Sequence, residues 1–326
     1  MECIIKIYGF FMESKIAEAK AKIKFIKNDL LGLMPNEIQT FGKKAVVNTL
    51  NRTWDYFPTQ VEEVAEKIFF RPKHYRPAEA EVYWQKRAQT FKVILPKSQK
   101  EVIGMKWGKG PCIFFTHGWA GRGTQFCQFI PSLLKKGFSV VAFDAPSHGQ
   151  SPGFMTNALE ILEAAESVVN VVGEIYAFVG HSFGCCFSLS LANSLKIKKI
   201  VLFAPNFDVE DDFKQWAKQE GVREDFFEAT ISGLESKYKR SFKDFNPCII
   251  GPEVKGHVLI FHDEDDRASK VENSKKLSKV IPKSLLKISH GLGHNKVLRD
   301  NKTIREVLAF LSNSKKSNNS KKQESI

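Results

Sequence analysis

The chain has 326 residues, 43% of them hydrophobic, and a formal net charge of +13. That apolar content suffices for a large core, and no run of about 18 apolar residues offers a membrane-spanning helix. The basic excess is spread along the chain and is mostly lysine, with no zinc finger, RNA-binding aromatic motif or other nucleic-acid module beside it. No nucleic-acid partner is therefore expected, and the charge is read as an aid to solubility or attraction to anionic surfaces.

Residues 1–12 are apolar but short, are broken by charge and lack a small-residue cleavage site. No secretory leader is expected there, and a start at Met12 is the alternative. Ile16, Ala19, Ile23, Ile26, Leu30 and Leu33 recur at helical spacing, with Lys15, Lys20, Lys22, Lys24 and Lys27 among them. This basic amphipathic helix is expected to pack on the body of the protein with its lysines in water; docking to an anionic membrane face is the rival reading. A helix over 45–53 follows. Pro58 interrupts, and 60–69 resumes with Val61, Val64, Ala65 and Ile68 on one face. Residues 71–77, marked by Pro72 and Pro77, read as a linker, and 78–88 as another helix. Strands are expected at 90–95 and 101–106.

Farther along, Val179-Gly180-His181-Ser182-Phe183-Gly184 follows the apolar run 175–178, a buried strand, and precedes 185–192, a helix. A serine between two glycines at a strand-to-helix junction has the pattern of a nucleophile elbow. A lone serine hydroxyl is a weak nucleophile, so a base and an orienting acid must accompany it. Residues 256–261 form a strand that runs into His262-Asp263-Glu264-Asp265-Asp266. A helix is expected over 271–280, and a strand at 284–288 leads to His290 and His294. The acid loop and the histidines thus sit at the C-terminal ends of strands, where ligand sites form in parallel sheets. A helix over 296–311 closes the fold, and the Ser/Asn/Lys-rich residues after it read as a disordered basic tail.

Five motifs then stand in order: Phe115-Thr116-His117-Gly118-Trp119, Asp144-Ala145-Pro146-Ser147-His148-Gly149-Gln150-Ser151, the elbow at Ser182, the acidic loop, and Gly293-His294. Over about residues 90–312 the chain resembles the α/β-hydrolase superfamily, in particular a poorly characterised bacterial branch with His-Gly-Trp and Gly-His-Ser-Phe-Gly motifs. The resemblance implies an α/β fold: a mostly parallel eight-stranded sheet with helices on both faces and a short helical lid. It implies a core over 90–205 and 251–312, a lid over 206–250, an accessory helical segment over 1–89 and a tail over 313–326. Within the lid, helices at 211–220 and 223–232 carry Phe213, Trp216, Phe226 and Phe227, expected to glue the lid down and alternatively to line an acyl pocket.

Carried over to this sequence, the family's roles make Ser182 the nucleophile of an intracellular, cytoplasmic serine hydrolase. His294 is then the general base, and the main-chain N–H groups of Phe183 and Trp119 form the oxyanion hole. Counting from His262 places the acid at Asp266, with Asp265 as the alternative and Asp263 or Glu264 behind it. Ser269-Lys270 departs from the family's Val-Pro-like pair after that acid. The implied substrate is a small-molecule carboxylic ester or thioester; a serine aminopeptidase or amidase, or a non-catalytic binding protein, are the alternatives. Serine at the elbow argues against the aspartate-dependent dehalogenase and epoxide-hydrolase branches. His290 rivals His294, while His117, His148 and His181 are expected to be structural, with His181 pointing away from the nucleophile. No metal and no cofactor are expected, and the sequence does not fix the oligomeric state. Cys3, Cys112, Cys127, Cys185, Cys186 and Cys248 show no two-residue spacing, so they read as reduced thiols in an intracellular protein.

Overall fold

A computed structural model describes residues 16–21 and 43–313. The expected basic helix of the N-terminus is described only over 16–21, which is helical. The rest of it, Cys3 and the tail from 314 onward lie outside the described residues.

The described chain divides into two compact units. One comprises the described residues up to Lys73 together with Asp211–Lys239; the other comprises His74–Glu210 and the chain from Arg240 onward. The division proposed from sequence, at 89 and at 206–250, is drawn differently: helical residues of the expected lid share a unit with the N-terminal helices.

In the larger unit, eight strands form one sheet: β1 Gln89–Ile94, β2 Glu101–Trp107, β3 Cys112–Thr116, β4 Ser139–Asp144, β5 Ile175–His181, β6 Lys199–Phe203, β7 His257–Asp263 and β8 Ser284–Ser289. Their order is β1-β2-β4-β3-β5-β6-β7-β8. The pairs β1–β2 and β2–β4 are antiparallel and all others parallel. The central strands read as unbroken apolar runs because both faces are covered; β3 and β4 are buried at every position. The edge strand β8 instead alternates between half-buried and exposed. Phe115 packs against Phe126 at 4.7 Å, and Phe203 stacks on Phe261 at 5.3 Å, in the core of this unit. From β3 the chain goes to β4 on one side, while β5 lies on the other. The crevice at the C-terminal ends of β3 and β5 is therefore a topological switch point, the place where such sheets bind ligands.

The smaller unit is built from helices Lys43–Trp54, Pro58–Phe69 and Glu224–Tyr238, with Val209–Glu220 entering it from Asp211. Its core holds Val46, Leu50, Val61, Val64, Ala65 and Phe226. Phe226 lies 4.7 Å from Trp54, and Trp216 meets Phe69 edge-on at 5.4 Å, so both aromatics act as packing groups here. Arg223 ties the same helices together through Asp55 at 2.8 Å and Asp225 at 2.6 Å.

Two helix boundaries depart from the sequence reading. Pro58 begins its helix instead of interrupting it, because the first turn has no use for the N–H that proline lacks. The expected helix over 296–311 is two pieces, Gly293–Lys296 and Asn301–Ser312. The second starts afresh because the Asp300 carboxylate accepts from Thr303 N–H at 2.7 Å as its N-cap.

Truncating Phe226 to alanine should cost the smaller unit about 3–5 kcal/mol. Hydrogen exchange should quicken across 43–54, 58–69 and 224–238 while β5 and β6 keep their protection; uniform loss of protection would contradict this packing.

Candidate active site

The elbow follows from close packing at the end of β5. The N–H of Ser182 donates to the Phe203 carbonyl at 2.8 Å, and its own carbonyl accepts from Cys185 N–H at 2.9 Å. This holds Ser182 at φ 52°, a left-handed conformation that a non-glycine residue keeps only under constraint. The helix Gly184–Ser194 starts immediately beneath β3: a Cβ on Gly184 would stand 2.4 Å from the Thr116 carbonyl oxygen, so only glycine fits. On the other side, Gly118 comes so near that a Cβ there would lie 2.8 Å from Ser182 Cβ. The main chain leading into Trp119 is thus brought against the serine, and the N–H of Phe183 lies at the head of the helix.

His294 opens the short helix after β8, and its Nδ1–H donates to Asp266 Oδ2 at 2.7 Å. That bond fixes the tautomer and leaves Nε2 with a free lone pair. Asp266 has a side chain only 1% exposed. Its Oδ1 accepts from the N–H groups of Ala268 at 2.8 Å and Ser269 at 2.9 Å, and Nε2 of His262 lies 3.4 Å from Oδ2. Burial pushes this carboxyl up, but the bonds from His262, His294 and Ser269 outweigh it and hold it well below the ordinary carboxylate range.

Ser182 and His294 line one cavity of ≈ 580 Å³, together with Gly118, Trp119 and His181. No hydrogen bond joins Ser182 Oγ to the imidazole of His294. In unliganded sites that contact is commonly long and tightens when substrate binds.

The other carboxylates of the loop do different work. Asp265 Oδ2 accepts from Gly291 N–H at 2.8 Å and does not meet His294. Asp263, ranked behind Asp265 as a candidate acid, is buried and accepts from Ser289 Oγ, the N–H groups of Leu292 and Gly293, and that of Asp265. It shapes the loop that presents His294, a role that hydrophobic patterning could not reveal. His290 is exposed and lies 3.3 Å from Glu264, outside the cavity. Although His290 and His294 stand four residues apart, among the described residues no group of three His, Cys, Asp or Glu side chains could hold a metal ion.

Three buried imidazoles brace the site. The His117 Nε2 accepts from Ala145 N–H at 3.0 Å, and its Nδ1–H donates to the Gly118 carbonyl at 2.8 Å. The His148 Nε2 accepts from Ala120 N–H at 3.0 Å, tying the loop after β4 to the loop carrying Trp119. His181, expected to face away, instead meets the main chain of His294: its Nε2–H donates to the His294 carbonyl at 2.9 Å, and Gln125 Nε2 donates to its Nδ1 at 2.9 Å. Burial lowers His117 to about 4 and both His148 and His181 to about 3, so all three are neutral. Among the described residues, Cys112, Cys127, Cys185, Cys186 and Cys248 form no disulfide. No helix among the described residues is long and apolar enough to cross a membrane.

These braces predict acid sensitivity. An unfolded chain takes up a proton on each histidine below 6.5, whereas the folded site refuses it until about 4 or lower. Their stabilisation is therefore complete above 6.5 and is lost as the pH falls toward 4, at about 1.4 kcal/mol per pH unit for each ring. Urea unfolding across that window should show a slope smaller by about one proton in His148→Gln; equal slopes would contradict the assignment.

The alpha/beta hydrolase fold family model matches residues 111–243. Bifunctional epoxide hydrolase 2 of Rattus norvegicus is 23% identical over 200 residues, 54% of this chain and 36% of that protein, so the chain spans about a third of that relative's length. Among solved structures, the Pyrococcus furiosus esterase Pf2001 has a TM-score of 0.56 at 16% identity, covering 74% of this chain and 98% of that one. An esterase from Exiguobacterium antarcticum has a TM-score of 0.52 at 15% identity, over 68% and 98% of the two chains. The thioesterase domain from the curacin biosynthetic pathway also has a TM-score of 0.52 at 15% identity, over 69% and 98%. Strand order, elbow and family match agree on the α/β-hydrolase fold.

Proposed function

We propose that this protein is a serine hydrolase that cleaves a small-molecule carboxylic ester or thioester through an acyl-enzyme on Ser182. The observation that carries the reading is the 2.7 Å bond from His294 Nδ1 to the buried Asp266 carboxylate, beside the cavity that also holds Ser182. It leaves His294 Nε2 as the group able to take a proton. Nε2 removes the hydroxyl proton as Ser182 Oγ attacks the carbonyl carbon. The oxyanion is met by the main-chain N–H groups of Phe183 and Trp119. The C–O or C–S bond then breaks, and the imidazolium returns the proton to the departing oxygen or sulfur. Water, deprotonated by the same Nε2, attacks the acyl carbon and releases Ser182 and the acid.

The similarity to an epoxide hydrolase does not carry that activity here, because a serine stands at the elbow where that branch uses an aspartate. Thiols that form no disulfide among the described residues suit a reducing compartment, and cytoplasmic residence is part of the proposal.

A fluorophosphonate probe should label the wild type and leave Ser182→Ala unlabelled. On a short p-nitrophenyl ester, Asp266→Asn should lose on the order of 10³–10⁴ in kcat, whereas Asp265→Asn should stay within about threefold of wild type, because that carboxylate does not meet the base. A folded wild type that neither labels nor turns over ester would favour a binding protein on the same fold. Loss of activity in Asp265→Asn alone would move the acid.

A further inference from the structure

The wall of this cavity includes three arginines, Arg76, Arg122 and Arg299, and a single carboxylate residue, Glu81. Glu81, 8% exposed, is shared: Arg122 Nη1 lies 3.4 Å from its Oε2 and Arg299 Nη2 lies 3.6 Å from its Oε1. One carboxylate therefore serves two cations. Arg122 is further fixed by a bond from Nη2 to the Tyr75 carbonyl at 2.6 Å. Arg76 is exposed and forms no ion pair among the described residues. The wall thus carries a net charge of about +2 inside a concavity, where low-dielectric sides concentrate the field. Hydrolysis of a neutral ester requires none of this charge. The guanidinium fork is the donor geometry that matches a carboxylate or phosphate.

Resting on the serine-hydrolase reading, we infer that the physiological substrate carries an anionic group, a carboxylate or phosphate, apart from its scissile ester or thioester. Arg76 and Arg299 receive that group, and Arg122, anchored by Glu81 and Tyr75, adds to the field. These arginines determine specificity and hold the substrate; the chemical step stays with Ser182 and His294.

The test compares mono-p-nitrophenyl adipate with p-nitrophenyl hexanoate, esters of equal chain length that differ by a terminal carboxylate. Each rate is corrected for the enzyme-free reaction, and inorganic phosphate is tried as a competitive inhibitor of hexanoate hydrolysis. For a carboxylate substrate, kcat/KM at low salt should favour the adipate ester at least tenfold. The double variant Arg76→Gln/Arg299→Gln should reduce that ratio tenfold, whereas Lys109→Gln, at the opposite end of β3, should not. For a phosphate substrate, the ratio should lie near one, and phosphate should inhibit the wild type at least tenfold more tightly than the double variant. Hexanoate turnover and Ser182 labelling with neither preference would overturn the anionic-substrate inference and leave the hydrolase reading standing. Absence of turnover and of labelling would overturn both.

Discussion

The site depends on one contact, the bond between His294 Nδ1 and Asp266 Oδ2. A carboxylate this buried is costly unless its oxygens are satisfied, and each donor comes from a piece of chain the fold must place. Ala268 and Ser269 turn their N–H groups onto Oδ1. His262, at the end of β7, approaches Oδ2 and is itself held by Ser274 Oγ at 2.6 Å and the Ser269 carbonyl at 3.0 Å. On the histidine side, Asp263 gathers the N–H groups of the loop from β8, and His181 supports the His294 carbonyl from β5. The ends of three strands therefore converge on a single imidazole.

The same side chain serves opposite purposes within this crevice. His117, His148 and His181 are locked neutral by burial, and each uses one ring nitrogen as donor and the other as acceptor, a tie between two loops that aliphatic side chains cannot make. His294, 18% exposed and with Nδ1 bonded to Asp266, leaves Nε2 without a hydrogen-bond partner among the described residues. The hydrogen-bond partners of both ring nitrogens therefore distinguish His181, bonded at each, from His294, bonded at Nδ1 alone.

Much of this was legible in the residues. The central strands are long apolar runs, and Ser182 between Gly180 and Gly184 marks the sharp turn because the glycines are where main chains nearly touch. The family resemblance, counted from His262, pointed to Asp266 with Asp265 left open, and the bond from His294 goes to Asp266. Asp263 was not legible, since an acid one residue away in a polar loop looks solvated until the loop from β8 folds over it. The role of His181 was hidden for the same reason: its partners, Gln125 and His294, are distant in sequence. The grouping of 211–239 with the N-terminal helices rests on Phe226 finding Val46, Leu50 and Val61, a long-range packing choice that periodicity leaves open. Asp300 stood within an apparently continuous helical pattern, and only its capping bond exposes the break.

The most direct measurement of the central claim is the tautomer of His294, read from long-range ¹H–¹⁵N correlations on the resting protein at mildly alkaline pH. The account predicts a proton on Nδ1 and a bare Nε2, with that preference lost in Asp266→Asn. A resting His294 protonated on Nε2, or one whose tautomer ignores the substitution at Asp266, would contradict it.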